Sequence, residues 1–271
     1  MRFAVGIEYA GTRYAGWQRQ ASAPSVQAEV EAALAQVANH PVTITGAGRT
    51  DAGVHALGQV AHFDSEAQRP LRGWLLGANA VLPPDVALRF VVPVDGEFHA
   101  RYSALERTYA YLVLNRPTRA PLAHERAAWR YQPLDAPRMH EALQSLLGEH
   151  DFSAFRAAEC QAQVPVRELR RIEVRRDGDW IRFEVTANAF LHHMVRNIVG
   201  SALEVGEGAR PPGWIGELLA SRDRRQAGPT APAGGLYFAS VRYPARHALP
   251  APAAAGLSAM IGAIATSLGR G

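Results

Sequence analysis

The segment GAGRTDAGVHALG, residues 46–58, sets a single carboxylate, Asp51, among Arg49, Thr50 and His55, punctuated by Gly46, Gly48, Gly53 and Gly58. Glycine permits left-handed backbone and close approach of the main chain to a ligand, so such a loop can press against a substrate. Arg49 and Asp51 are charged side chains it carries. The same two side chains can also simply pair across a tight surface turn. A phosphate cradle of the Walker kind needs Gly-Lys-Ser/Thr opening a helix, and this chain contains no lysine. On local composition a substrate-facing loop and a plain surface turn both remain open.

Other chemistries are less well supplied. Among the ten histidines, His192 and His193 are adjacent, and on a helix they would point about 100° apart, a poor geometry for one metal. His55 and His62 fall on different elements, and there is no HExxH or Cys-His spacing, so no metal is expected. Cys160, the single cysteine, excludes an intrachain disulfide and a cysteine-cluster metal site. It lies in AAECQ without a marked basic cluster and is expected to be a buried, inert thiol.

All 29 basic residues are arginine, against 25 acidic ones, for a net charge of +4. Arginine makes forked contacts to phosphate and stacks on bases, so the balance permits a nucleic-acid partner. Residues 101–130 carry six arginines against Glu106 and Glu125, and Arg222, Arg224 and Arg225 surround only Asp223. Between 168 and 179, four arginines are matched by four acids. The first and third runs are the ones expected on phosphates. Hydrophobic residues at 48% and charged residues at 20% exclude wholesale disorder. The N-terminal residues lack the apolar run of a signal peptide, and Ala255–Leu268 is shorter than the roughly 20 residues that span a bilayer. A soluble chain of a reducing compartment, without membrane attachment, is expected.

The elements that must position these residues alternate between strands and helices. Arg2–Tyr9 alternates at period two, a strand. Ser25 is a candidate N-cap for a helix carrying Val26, Val30, Leu34 and Val37. Val42–Ile44 and Gln59–Phe63 read as strands flanking the glycine loop. Pro70 starts a helix that Pro83-Pro84 ends, and Val86–Val94 is a strand. The first third is therefore β-α-β-β-α-β, the ferredoxin-like order. Glu106–Leu114 (strand), Ala136–Leu147 (helix), Leu169–Arg175 and Trp180–Thr186 (a hairpin through Asp177-Gly178), Phe190–Val205 and Gly213–Ala220 (helices) and Leu236–Tyr243 (strand) repeat the theme. The expected architecture is α+β, two related ferredoxin-like units with joined sheets and an active-site cleft between them. Residues 1–100 form the catalytic unit, 101–244 the base- and RNA-contacting unit, and 245–271 an Ala/Pro-rich tail with at most one marginal helix.

Read whole, GRTDAGVHALGQVAHF (from Gly48) resembles the signature of the pseudouridine synthases that modify the tRNA anticodon arm, the TruA family. FHARYSALERTYAY (from Phe98), DFSAFRAAECQ (from Asp151), ANAFLHHMVRNIVG (from Ala187) and APAGGLYFASVRYP (from Ala231) match in the same order, so the resemblance spans about residues 1–244. It implies that Asp51 is the catalytic nucleophile, that Arg196 is its ion-pair partner, and that Tyr109 lies against the target base and can move a proton. Leu236 would pack on the other side of that base, and Arg49 would support base flipping. It further implies a cytoplasmic homodimer acting on tRNA at uridines 38, 39 and 40, without cofactor or metal.

The chemistry suits these residues. Converting uridine to pseudouridine breaks an N-glycosidic bond, turns the uracil and rejoins it through carbon. A carboxylate can add to ribose or ring and leave again, with no redox step. Met194, Val195, Ile198 and Val199 make the helix around Arg196 a buried one, where an arginine needs a reason. Of the two tyrosines on one strand face, Tyr111 is expected in the core and Tyr109 at the base. The rival reading is a non-catalytic RNA-binding protein or tRNA folding chaperone, which would have no need of an acid beside phosphates. A carboxylate glycosidase would want two working carboxylates, and the motif loop has one.

Overall fold

Phe3, Val5 and Ile7 drive β1 (Arg2–Tyr9) into the centre of a sheet, where all three are buried. The computed structural model describes residues 1–160 and 162–250. They divide into two units, residues 1–106 with the strand from Tyr237 onward, and residues 107–236.

In the first unit α1 (Val26–Ala38) starts where Ser25 Oγ accepts a hydrogen bond from Ala28 N at 3.4 Å, and ends at Asn39 in the left-handed region. β2 (Thr45–Gly46), β3 (His55–Asp64), α2 (Leu71–Val81) and β4 (Val86–Val94) follow. β1 pairs antiparallel with β3 and β4, and β2 pairs with β3, giving the order β4-β1-β3-β2. Phe3 stacks on Phe63 at 5.2 Å, and Trp74 of α2 meets Phe63 edge-on at 5.2 Å. Such aromatic burial supplies much of the hydrophobic driving force for docking α2 on the sheet.

The strand expected at Val42–Ile44 is displaced to Thr45–Gly46. Ile44 N donates to Glu31 Oε1 at 3.0 Å and Ile44 O accepts from Gln27 Nε2 at 3.1 Å. Side chains of α1 thus satisfy the backbone groups that a ladder would otherwise use.

His62 of β3 is buried and accepts a hydrogen bond from Ala100 N at its Nδ1, 3.1 Å away. Burial, with His99 and Arg2 nearby, holds its pKa down to about 4. The unfolded imidazole takes a proton near pH 6.5. Below that pH the unfolded state therefore gains protons that the folded state refuses, and stability falls until the folded pKa is reached. We expect chemical denaturation to show a loss of up to about 3 kcal/mol between pH 6.5 and 4. His62→Gln should flatten that slope.

The second unit runs β5 (Glu106–Asn115), β6 (Ala128–Arg130), α3 (Ala136–Leu143), β7 (Gly148–Asp151), β8 (Val166–Asp177), β9 (Trp180–Ala187), α4 (Met194–Gly206) and α5 (Trp214–Ser221). Its antiparallel order is β5-β9-β8-β7, with β6 added parallel to β5. α3 packs against β8 and α4. The hairpin of β8 and β9 turns at Gly178, which has φ +56°.

Two helices are shorter than their apolar patterns suggested. α3 gives way at Gln144 to a single 3-10 turn. α4 starts at Met194, not Phe190, because His193 takes a left-handed φ of +60°, incompatible with helix interior. Asn188 Oδ1 also accepts from Glu168 N and Ala189 N, holding the preceding segment in another conformation.

β10 (Leu236–Arg242) is the last strand among the described residues and runs parallel to β3 through Tyr237–His55 and Phe238–Ala56. By compactness the first unit takes residues 1–106 and Tyr237 onward, and the second takes 107–236. The tail is also not detached from its start. His247 is buried, with Nδ1 3.0 Å from Asp95 Oδ2 and its ring 5.1 Å from Phe98. The marginal helix expected in the Ala-rich stretch lies outside the described residues. Among the described residues no helix is long and apolar enough to cross a membrane.

Candidate active site

Asp51 sits half-buried in the connection from β2 to β3, and main-chain hydrogen bonds hold Thr50, Gly53 and Val54 beside it. Asp51 O accepts from Val54 N at 3.2 Å, closing a turn in which Gly53 has φ +77°. A side chain at that φ would be strained, which accounts for the glycine. Thr50 O accepts from Trp17 N at 3.0 Å, and Gly53 N donates to Tyr14 O at 3.3 Å. Thr50 Oγ1 lies 2.8 Å from the buried Tyr9 hydroxyl, and Gly48 O accepts from Gln59 Nε2 at 2.8 Å. Burial pushes the Tyr9 phenol well up, so it stays a neutral hydrogen-bonding group.

The segment behind this loop is itself clamped. Arg13 Nε and Tyr14 OH both donate to the Asp85 carboxylate, at 2.7 and 2.8 Å, and hold its pKa below the usual range. Gly11 N donates to His55 Nδ1 at 3.0 Å, leaving the other ring nitrogen to carry the proton. A Cβ at Gly11 would lie 1.9 Å from Val54 O, so any side chain there would push the Asp51 turn out of place. Arg49 is exposed and makes no ion pair among the described residues, so it does not close the turn with Asp51. The turn is held by backbone contacts, and that pair is not its fastening.

Tyr109, Arg196 and Leu236 belong to the second unit. Tyr109 is buried on β5 opposite Val185, with its ring edge-on to Phe190 at 4.9 Å and 82°. Tyr111, two residues on, is fully buried, and its hydroxyl donates to Pro232 O at 2.8 Å, in keeping with a core role. Arg196 is half-buried in the first turn of α4, whose other residues there are apolar and buried or are the buried Asn197. Its Nε donates to Ala231 O at 2.8 Å, and its own carbonyl accepts from Ala231 N at 3.1 Å. Asn197 Oδ1 accepts from Thr230 Oγ1 and Arg224 Nη2, stitching residues 224–231 along the start of the helix. Leu236, buried, follows directly at the head of β10.

Two sequence expectations need correction here. Arg224, counted among phosphate-facing arginines, donates to Gly228 O, Asn197 Oδ1 and Thr230 Oγ1 and is a structural clamp. His192 and His193 precede α4, and their rings lie 4.0 Å apart, so helical spacing does not separate them. Cys160 is buried, as expected. Burial pushes its pKa up, but the Ala162 and His192 backbone N–H groups and nearby Arg156 outweigh that and lower it. The supports Tyr9, Tyr14, Trp17 and Gln59 were not found from sequence. The signal available was the glycine-punctuated GTRYAGW after β1.

The chain matches the family model described as tRNA pseudouridine synthase over residues 6–103 and 142–244. It is 56% identical over 250 residues to "tRNA pseudouridine synthase A" of Aeromonas hydrophila, covering 92% of this chain and 93% of that one. Proteins of the same name from Methylococcus capsulatus and Xanthomonas euvesicatoria are 53% and 54% identical. The former alignment covers 92% of both chains, the latter 93% of this chain and 98% of its relative. A mixed α/β chain with these matches is a base-modifying enzyme. The chain belongs to the tRNA pseudouridine synthase family and is an enzyme that isomerises uridine to pseudouridine in tRNA.

Proposed function

We propose that Asp51 is the nucleophile of this isomerisation and that the targets are uridines 38, 39 and 40 of the anticodon stem-loop. The observation that carries the reading is the Asp51 turn itself, one carboxylate on a loop whose neighbours on both sides are fixed to Tyr9, Tyr14, Trp17 and Gln59. A nucleophile positioned by scaffold bonds needs little reorganisation to attack. The N1–C1′ bond breaks, the C5–C1′ bond forms, C5 loses its proton and N1 gains one. Atoms balance, and the carboxylate is released unchanged.

In this reading Arg196 is the cation that pairs with Asp51 and keeps it ionised. Tyr109 and Leu236 take the two faces of the uracil, and Arg49, exposed beside the nucleophile, supports flipping of the base. Two ferredoxin-like halves accommodate this reading. The first unit has the order β4-β1-β3-β2, and the second has β5, α3, β8, β9 and α4 in chain order before β10. A homodimer in the cytoplasm completes the proposal.

The test uses tRNA transcripts carrying tritium at uracil C5, which only formation of the new carbon–carbon bond releases. Release equal to the number of uridines at 38–40 is expected, and release from transcripts lacking them would overturn the assignment. Tyr109→Phe keeps the ring against Phe190. Its KM should stay unchanged, while kcat falls by roughly 10²-fold as the phenolic proton path is lost.

A further inference from the structure

The string FHARYS contributes residues that the proposed chemistry does not use. Tyr102 is 76% exposed, though aromatic side chains usually find cover. Its ring stacks on His99, with centroids 4.3 Å apart and planes at 29°. His99 in turn lies 4.7 Å from the buried His62. The turn that presents the ring is locked. His99 Nδ1 accepts from both Arg101 N and Tyr102 N at 3.2 Å. His99 N donates to Ser103 Oγ at 3.0 Å, and Ser103 N donates to His99 O at 2.8 Å. The exposed Arg101 guanidinium lies 5.6 Å from the centre of the tyrosine ring.

A row of three rings, anchored in the β3 core and ending at the surface, is a preorganised stacking platform. Tyrosine adds large contact area at low entropic cost when its rotamer is already fixed. A flat π-face beside a guanidinium matches a nucleotide, which offers a base to the ring and a phosphate to the cation. An acidic peptide would match the guanidinium alone.

We propose that Tyr102 and Arg101 form an RNA-docking site, in which an unpaired base of the tRNA stacks on Tyr102 and an adjacent phosphate meets Arg101. The site rests on tRNA being the substrate and acts in binding, apart from the chemical step.

The experiment measures transcript affinity by filter binding, and KM and kcat by pseudouridine formation, for the full chain and four variants. Tyr102→Ala and Tyr102→Leu should weaken binding and raise KM by roughly ten-fold, the scale of one lost base–aromatic stack. Their kcat at saturating tRNA should stay within about two-fold. Tyr102→Trp should bind as the unmutated chain does. Arg101→Gln should lower the salt slope of log Kd by roughly 0.7–0.9, one phosphate contact. Tyr102→Leu keeps apolar cover over His99, so it decides the matter if Tyr102→Ala fails to fold. Unchanged affinity in Tyr102→Leu overturns the proposal. So does a lower sedimentation coefficient in that variant with tRNA affinity intact, which would assign the ring to a contact between copies of this chain. An unmutated chain that binds tRNA through Tyr102 but forms no pseudouridine would leave the docking site standing and defeat the catalytic reading.

Discussion

Asp51→Ala is expected to reduce turnover by at least roughly 10⁴-fold, the scale seen when a covalent nucleophile is removed, while tRNA binding changes by no more than a few-fold. The two halves of that expectation have separate causes. Turnover needs an oxygen able to add to the substrate and leave again, and alanine provides none. Binding of a polyanion depends mainly on phosphate contacts made over a wide surface, to which a single carboxylate contributes repulsion. The turn should survive the change, because Thr50, Gly53 and Val54 are held through main-chain bonds that alanine retains. Single-turnover kinetics with filter binding on the same preparation checks both halves. Turnover within ten-fold of the unmutated chain would contradict the assignment.

Arg196→Ala should lower kcat/KM by about 10²–10³-fold, the usual effect of removing one preorganised electrostatic group, and should also destabilise the second unit. The structural part is local. Arg196 Nε donates to Ala231 O at 2.8 Å, and a hydrogen bond from a charged donor is worth roughly 1.5–3 kcal/mol. Residues 228–232 would lose one tie to α4, though Asn197 and Arg224 still hold Thr230. Arg196→Lys separates the effects. It restores a cation without the fork, so activity should recover in part while the Nε bond stays lost. Urea unfolding beside steady-state kinetics reads the two separately. A variant that is destabilised but fully active would confine Arg196 to a structural role.

The residues that read clearly from sequence are those whose structure is set locally. Ser25 caps α1 by its own hydroxyl, Pro83-Pro84 follows the end of α2, and the strand expected at Arg2–Tyr9 is β1. What could not be read depends on partners distant in the chain. Ile44 leaves the ladder because Glu31 and Gln27 bond its backbone. α4 starts late because His193 adopts a left-handed conformation that apolar periodicity does not reveal. Arg224 looks like surface charge until Asn197, Gly228 and Thr230 are found around it. The same holds at the proposed nucleophile. The resemblance of GRTDAG pointed to Asp51, but the Tyr9 hydroxyl that bonds Thr50 lies 41 residues away and gave no sequence signal.

The most direct test of the account maps pseudouridine on an unmodified tRNA transcript incubated in EDTA with the purified chain, using carbodiimide-blocked primer extension. Asp51→Ala runs beside it. The account predicts new stops at the uridines of positions 38–40 with the unmutated chain and none with the variant. Stops of equal strength with both proteins, or tight binding of the transcript by both with no stops at all, would contradict it.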